Sequence, residues 1–307
     1  MASRTSTDSR LNVISQSWNF SFIILLAFVA LFILIPMLLI IIVSFSSELS
    51  IANRGYSFWP EAWTLDGYRF LFKTGDQLLN SYIITIFYTI TGTVMSMTVM
   101  TMFSYVIAQR NFPLCKSLTW MLFFTMLFSG GLVPSYILNV RYLQINDSIW
   151  IFLLPSLVSA WYTIILRTFI QTTIPDTLFE AARIDGAGHF RVFISIVLPL
   201  FKTGIATVSL FNVVTRWNDW FIGMLYIRNP KLIPLQTMLT KIQDSIEFLK
   251  QNAAIAGTPD GIALLRNLPD ENLRMACTIV VILPILMAYP FFQRFFVRGL
   301  TIGSIKG

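Results

Sequence analysis

Long apolar runs dominate the chain. Six of them read as helical spans, at about residues 20–43, 81–108, 118–138, 149–169, 203–227 and 275–296. Each holds roughly the 20 residues that carry a helix across a bilayer core. The runs are continuous and show no period-two alternation. That excludes a closed barrel, the other architecture that satisfies every backbone group in lipid. The third run is broken near "SGGLVPSY" by Gly130, Gly131 and Pro134, the fourth carries Pro155, and the sixth is expected to kink at Pro284 and Pro290. Such breaks are ordinary in membrane helices. The predicted class is all-α, a polytopic membrane helical bundle of six transmembrane helices.

Charge placement then orients the bundle. With the N-terminus inside, segments 1–19, 109–117, 167–202 and 294–307 face the cytoplasm and hold eleven basic against four acidic residues. The outer segments 44–80, 139–148 and 228–274 hold ten of each sign on much more chain. The positive-inside rule therefore puts both termini in the cytoplasm. The first run exceeds the 7 to 15 residues of a signal-peptide core, so an uncleaved anchor is expected. The organisation that follows is a tail at 1–19, a six-span membrane domain at 20–296 and a second tail at 297–307. Large outer loops lie at about 44–80 and 228–274, and a polar cytoplasmic segment at 171–202.

Composition agrees: 55% of the residues are hydrophobic and 12% charged, too few charges to cover a soluble domain. The net charge of +7 is a topology signal, and no basic run with interleaved aromatics marks a nucleic-acid partner. Two distant cysteines and one histidine make neither a disulfide framework nor a metal site. The chain lacks G-x-x-x-x-G-K-[ST], so it carries no phosphate-binding loop of that kind. An intramembrane enzyme would need a nucleophile–base or metal set in the spans. A secondary transporter of a polar solute, the alternative reading, should show an internal repeat and paired intramembrane carboxylates. Asp219 is the only acid inside an expected span.

One polar stretch interrupts the apolar pattern: "EAARIDGAGHFRVFISIVLP", from Glu180 to Pro199. Thr173 is an expected N-cap, Pro175 suits a first turn and Asp176 the positive end of a helix. "DTLFEAARID" then reads as a short helix in which Ala181 and Ala182 let another surface approach closely. Gly186 and Gly188 turn the chain, and "HFRVFISIVLP" begins a second helix. Taken by itself, this pattern describes either an interfacial loop resting on lipid headgroups or a knob for a protein partner.

The spacing of Glu180-Ala181-Ala182, Gly186, Ile196 and Leu198-Pro199 resembles the EAA motif of ABC-importer permeases. "EAARIDGA", "LPL" and "WNDW" are similar to the carbohydrate-importer branch, as in the second permease of the maltose system. "FSGGLVPSYIL", "ILRTF", "YIRNPKLIPLQTML" and the closing "NLRMACTIVVILPILMAYPFFQRFFVRGLTIGSIKG" resemble LplC-type permeases for oligosaccharides or complex glycans. The matches run from about 128 to 307. The resemblance implies a type I importer permease with no catalytic residues or cofactor of its own. ATP and Mg would be bound by a partner ATPase. Its implied partners are a homologous second permease, two ATPase subunits, an extracytoplasmic solute-binding protein, a carbohydrate substrate and membrane lipid. Glu180, Ala181, Ala182, Arg183, Asp185, Gly186, Ile196, Leu198 and Pro199 would form the ATPase-coupling segment. In the tail, Gly303, Ser304 and Lys306 would also reach the ATPase, and "NAAIAGTPDGIALLRNL" outside occupies the place of the loop that meets the binding protein. His189 is expected to be a cap or surface residue.

Arg216 and Asp219 in "TRWNDWF" stand out as charges well inside the fifth span. A charge at a helix centre costs roughly 2.5 to 3.5 kcal/mol on insertion scales, so such residues usually face a cavity. At i, i+3 the two are expected to pair. Trp217 and Trp220 are suited to stacking on sugar rings and Asn218 to hydrogen-bonding hydroxyls. Arg216, Trp217, Asn218, Asp219 and Trp220 are thus the candidate lining of a translocation path.

Overall fold

The computed structural model describes residues 16–73, 75–251 and 270–303, with side chains from Trp18 to Gln293 within those ranges. Among the described residues no strand forms beyond one isolated bridge between Ser46 and Trp63, and the fold is all-helical. The described chain divides into two compact units. One runs to Phe70 and takes the start of the last helix as far as Ile279; the other begins at Leu71 and takes that helix from Val280 onward.

In the first unit, α1 (Gln16–Ser44) is an apolar helix exposed along most of its length, as a lipid-facing span must be. The segment that follows is built, not slack. It contains α2 (Glu48–Arg54) and α3 (Asp66–Lys73), and Ser47 caps α2 by accepting from Ser50 N. Asn272, on the first turn of the last helix, donates to the carbonyls of Ser44 and Ser46 at 3.0 and 2.6 Å. It thereby satisfies acceptors orphaned where α1 ends. Glu48 returns the favour, taking the backbone N–H groups of Glu271 and Asn272 at 3.4 and 3.3 Å. Gly67 is required here, because a side chain at that position would collide with Asn272.

In the second unit, α4 (Gly75–Ala108) is the axis. Its 34 residues reach about 50 Å at 1.5 Å per residue, more than a bilayer core. A stripe of small hydroxyl residues, Ser81, Thr85, Thr89, Thr93, Ser96, Thr101 and Ser104, is buried along it. Small residues let helices pack closely where lipid removes the hydrophobic drive for association. α5 (Cys115–Leu127) and α6 (Leu132–Ile137), extended by a π-turn at Leu138–Tyr142, lie where the third span is expected and are bent by 111° to each other. Gly131, at φ +85°, supplies that bend.

The fourth expected span is split. α7 (Trp150–Leu153) and α8 (Ala160–Thr173) are separated by residues 154–159, which contain Pro155. After α9 (Asp176–Ile184) come α10 (His189–Val192), a π-turn at Phe193–Val197 and α11 (Leu198–Leu200). The chain then bends by 78° into α12 (Lys202–Trp217). The fifth expected span, 203–227, stops at Trp217 and resumes only as α13 (Phe221–Tyr226), ahead of the amphipathic α14 (Leu235–Gln251). The last helix, α15 (Glu271–Gly303), holds Pro284 and Pro290 without breaking. Pro284 has no N–H for the carbonyl of Val280, and the Tyr82 hydroxyl occupies it instead at 2.7 Å.

Among the described residues three helices are long and apolar enough to cross a membrane: Trp18–Ser44, Gly75–Ala108 and Glu271–Gln293. Each of the two bent pairs meets the same length and composition only when its helices are taken together, as a broken span or a re-entrant loop, so the described residues give three to five spans against the six expected.

Candidate coupling site and intramembrane arginine centre

The polar stretch forms a knob. Pro175 occupies the N-cap of α9 with φ −62° and ψ 141°, and Asp176 stands in the first turn. Thr173, the expected cap, is instead the last residue of α8. The residue before a proline is driven out of the helical region, so α8 stops at Thr173 and Ile174 turns extended. The far end of α9 closes as a Schellman motif: Gly186 N donates to Arg183 O at 3.0 Å and Ala187 N to Ala182 O at 2.9 Å. Gly186 sits at φ +74° with nothing near its missing side chain. Glycine is needed there for backbone conformation alone.

α9 has two faces. Phe179 and Ala182 turn inward, and Ala182, 6% exposed, is buried in a cluster with Tyr105, Leu166, Ile170, Val192 and Phe193. The close approach expected at Ala182 is therefore made inside the chain, not to a partner. Glu180, Ala181, Arg183 and Asp185 are exposed. Ile184 is 86% exposed, an apolar side chain at the tip of the knob that the sequence reading passed over. It stands two residues past inward-facing Ala182, off the buried face, which the sequence could show only once that face is known. Ile196 and Leu198 pack against the buried cluster, while Pro199 is exposed. Pro199 leaves the Ser195 carbonyl without its helical donor, beside the π-turn Phe193–Val197.

The knob is seated on the end of α4. Arg183 Nη2 donates to Gln109 Oε1 at 3.5 Å, and Arg110 pairs with Asp176 at 3.4 Å on the exposed surface. The Tyr105 hydroxyl lies 3.4 Å from His189 Nδ1. Beneath, Arg167 Nε and Gln171 Nε2 donate to the carbonyls of Ile107 and Ala108. These bonds satisfy the last turn of α4. Of the candidate tail residues, Gly303 is the last residue of α15, and Ser304 and Lys306 lie outside the described residues, as does the stretch 252–268 expected to meet the binding protein.

Arg216 is 5% exposed. It does not form the expected ion pair with Asp219. Its Nε donates to Asn212 Oδ1 at 2.8 Å and Nη1 to Phe152 O at 2.8 Å. Nη2 donates to Ser96 Oγ at 2.6 Å and to Ser156 O at 2.9 Å. The Asp219 carboxylate caps α13 instead, accepting from Ile222 N at 3.1 Å. Trp217 is buried, with its indole N–H on Val281 O at 3.1 Å, so its ring is taken up by the bundle. Asn218 and Trp220 are exposed and Asp219 half-buried. The "RWNDW" string thus divides into an inward pair and an outward-facing turn.

Among the described residues no group of three or more histidine, cysteine, aspartate or glutamate side chains is arranged to hold a metal ion. The all-helical architecture, with long apolar helices and a capped polar knob, is that of a membrane transport subunit. The chain belongs to the family described as binding-protein-dependent transport system inner membrane component, whose profile matches residues 94–302. It is a multi-pass protein of the plasma membrane.

Relatives narrow the comparison. The chain is 34% identical over 278 residues to the polygalacturonan/rhamnogalacturonan transport system permease protein YtcP of Bacillus subtilis (strain 168), covering 91% of this chain and 94% of the relative. It is 36% identical over 274 residues to protein LplC of the same organism, covering 89% and 90%. Among solved structures it matches a chain of a bacterial ABC transporter involved in the import of the acidic polysaccharide alginate. The TM-score is 0.73 at 29% identity, over 92% of this chain and 99% of the other. The resemblance drawn from the EAA spacing and the closing segment is borne out.

Proposed function

We propose that this chain is the permease subunit of an ATP-driven, binding-protein-dependent importer of oligosaccharides or complex glycans. It performs no chemistry on its substrate. A homologous permease completes the pathway, two ATPase subunits bind ATP and Mg, and an extracytoplasmic solute-binding protein delivers the glycan. In this reading the chain has six spans with both termini in the cytoplasm, which puts the knob on the ATPase side.

The observation that carries this reading is the knob itself. A nine-residue helix, stopped at both ends by backbone devices and seated by Phe179 and Ala182, holds Glu180, Ala181, Arg183, Ile184 and Asp185 outward. An apolar tip ringed by charges is the anatomy of a docking site, with an apolar anchor at the centre and a polar rim. Ile184 is the anchor in this reading, and Glu180, Arg183 and Asp185 supply charge-assisted contacts. Gly303, Ser304 and Lys306 belong to a second contact on the ATPase. Outside, Asn218, Asp219 and Trp220 line the path, with Arg216 and Trp217 behind them.

The test is reconstitution of the full complex in proteoliposomes with Ile184→Asp. ATP hydrolysis stimulated by loaded binding protein should fall by at least about tenfold, the equivalent of 1.4 kcal/mol of docking energy. A panel of oligogalacturonides, alginate oligosaccharides and neutral oligosaccharides identifies the cargo in the parent complex. Full stimulation in Ile184→Asp overturns the coupling reading.

A further inference from the structure

Two expected spans are interrupted, at residues 154–159 and 218–220, and one residue meets both, by its side chain at the first and its backbone at the second. Arg216 lies one residue before the end of α12, so its backbone leads directly into the second break. Its guanidinium reaches the first. There the helical ladder has stopped, and the carbonyls of Phe152 and Ser156 lack the donors that a continuous helix would give them. In a bilayer an unsatisfied carbonyl costs several kcal/mol. Arg216 is the charged donor to both, through Nη1 at 2.8 Å and Nη2 at 2.9 Å, beside the neutral hydroxyls of Ser156 on Phe152 O at 3.0 Å and Ser96 on Ser156 O at 3.2 Å.

The slot for that side chain is built into α4. A Cβ on Gly92 would stand 2.5 Å from Nη1, so only glycine leaves room for the guanidinium. Ser96 closes the far side by accepting from Nη2. Tyr88, one turn earlier, donates its hydroxyl to the Arg216 carbonyl at 2.6 Å. Side chain and backbone of one residue are therefore both fixed to the same helix. An apolar residue of similar volume would fill this space without the desolvation cost of a buried charge. It would not hold two interrupted segments that no continuous hydrogen-bond ladder keeps in register.

We propose that Arg216 is a positioning residue for transport, a clasp that fixes both interruptions against α4 and so sets where Asn218 and Trp220 are presented. The proposal rests on the transport reading only for its purpose. Its geometry is testable without substrate, ATPase activity or binding protein. Lysine does not replace the clasp, since an ammonium is a point donor and the four acceptors need a planar fork.

The experiment uses the assembled complex with Cys115→Ser and Cys277→Ala, spin-labelled on this chain through Val158→Cys and Trp220→Cys. Pulsed electron resonance should give one narrow distance distribution in that background. Arg216→Gln and Arg216→Lys should each broaden it or move it by about a helical turn, ~5 Å. A second labelled pair, Thr98→Cys with Thr168→Cys, reports α4 against α8 away from the breaks and should stay narrow. Gly92→Ala keeps the charge but crowds its slot, and should disturb the first pair alone. It decides the matter if the Arg216 variants do not accumulate. An unchanged first pair, or equal broadening of both pairs, overturns the proposal; the latter would make Arg216 a general stability residue.

Discussion

Gly186 gives the sharpest test of the knob, because its cost is conformational and nothing else. Its φ of +74° lies in the left-handed region, and no atom lies within 4 Å of where a side chain would begin. A substitution there meets no steric wall. Its penalty is the left-handed backbone cost of about 1–2 kcal/mol for an ordinary L-residue, less for asparagine, which tolerates that region. Alanine should therefore shift the capped end of α9 toward frayed states by about 5- to 30-fold in equilibrium. Valine should do worse, being β-branched. Proline is a different perturbation: it locks φ near −65° and removes the N–H that Gly186 donates to Arg183 O. The Schellman closure then fails outright, and with it the placement of Arg183, Ile184 and Asp185. The assay is binding-protein-stimulated ATP hydrolysis in proteoliposomes, with assembly checked by co-purification of all subunits. The expected order of activity is glycine, asparagine, alanine, valine, proline. An order that follows side-chain volume instead, with asparagine below alanine, would refute the backbone argument. A fully stimulated Gly186→Pro complex would refute the knob as a rigid element.

The two alanines of the motif should separate. Ala182→Leu forces a larger side chain into a packed cluster and should lower the thermal stability of the purified chain by about 1–3 kcal/mol, whereas Ala181→Leu on the exposed face should leave stability unchanged and reduce only ATPase stimulation. Equal effects of the two on thermal unfolding would contradict the assigned faces. Asp147, in the connection before α7, accepts from the backbone N–H groups of Asn229 and Arg228 at 2.7 and 3.0 Å, which hold its carboxyl below the usual range. A depressed acid stabilises the fold above its unfolded value of about 3.9 and loses that contribution as pH falls through the folded value. Asp147→Asn should accordingly lower the midpoint of thermal unfolding at pH 7, with the gap to the parent closing below about pH 4. A gap that stays constant down to pH 3 would show that the charge is irrelevant to this turn.

What the sequence made legible was local. The apolar runs marked α1, α4 and α15 because a helix in lipid must be long and uniform whatever it packs against. "EAARIDGA" was readable as a helix ending in a glycine turn because both its stop signals lie within a few residues of each other. Which alanine faces inward was not readable. That choice is made by Val192, Phe193 and Leu166, and nothing in a nine-residue helix states where those partners will stand. The interrupted spans show the same limit more strongly. Residues 154–159 and 218–220 lie inside apolar runs of ordinary composition, and Pro155 alone does not distinguish a kink from a break. Spacing at i, i+3 predicted an Arg216–Asp219 pair, and local geometry permits it. The pair loses because the carbonyls of Phe152 and Ser156, some 60 residues away, lack helical backbone donors, and a guanidinium reaches both beside the hydroxyls of Ser156 and Ser96, where a single carboxylate contact would reach neither. Asp219 is then released to cap α13, where a carboxylate at a helix N-terminus is favoured in its own right. The charges of "RWNDW" are thus divided by the needs of the backbone breaks on either side of them. It is those breaks, rather than the charges, that a search of related sequences for this centre should look for first.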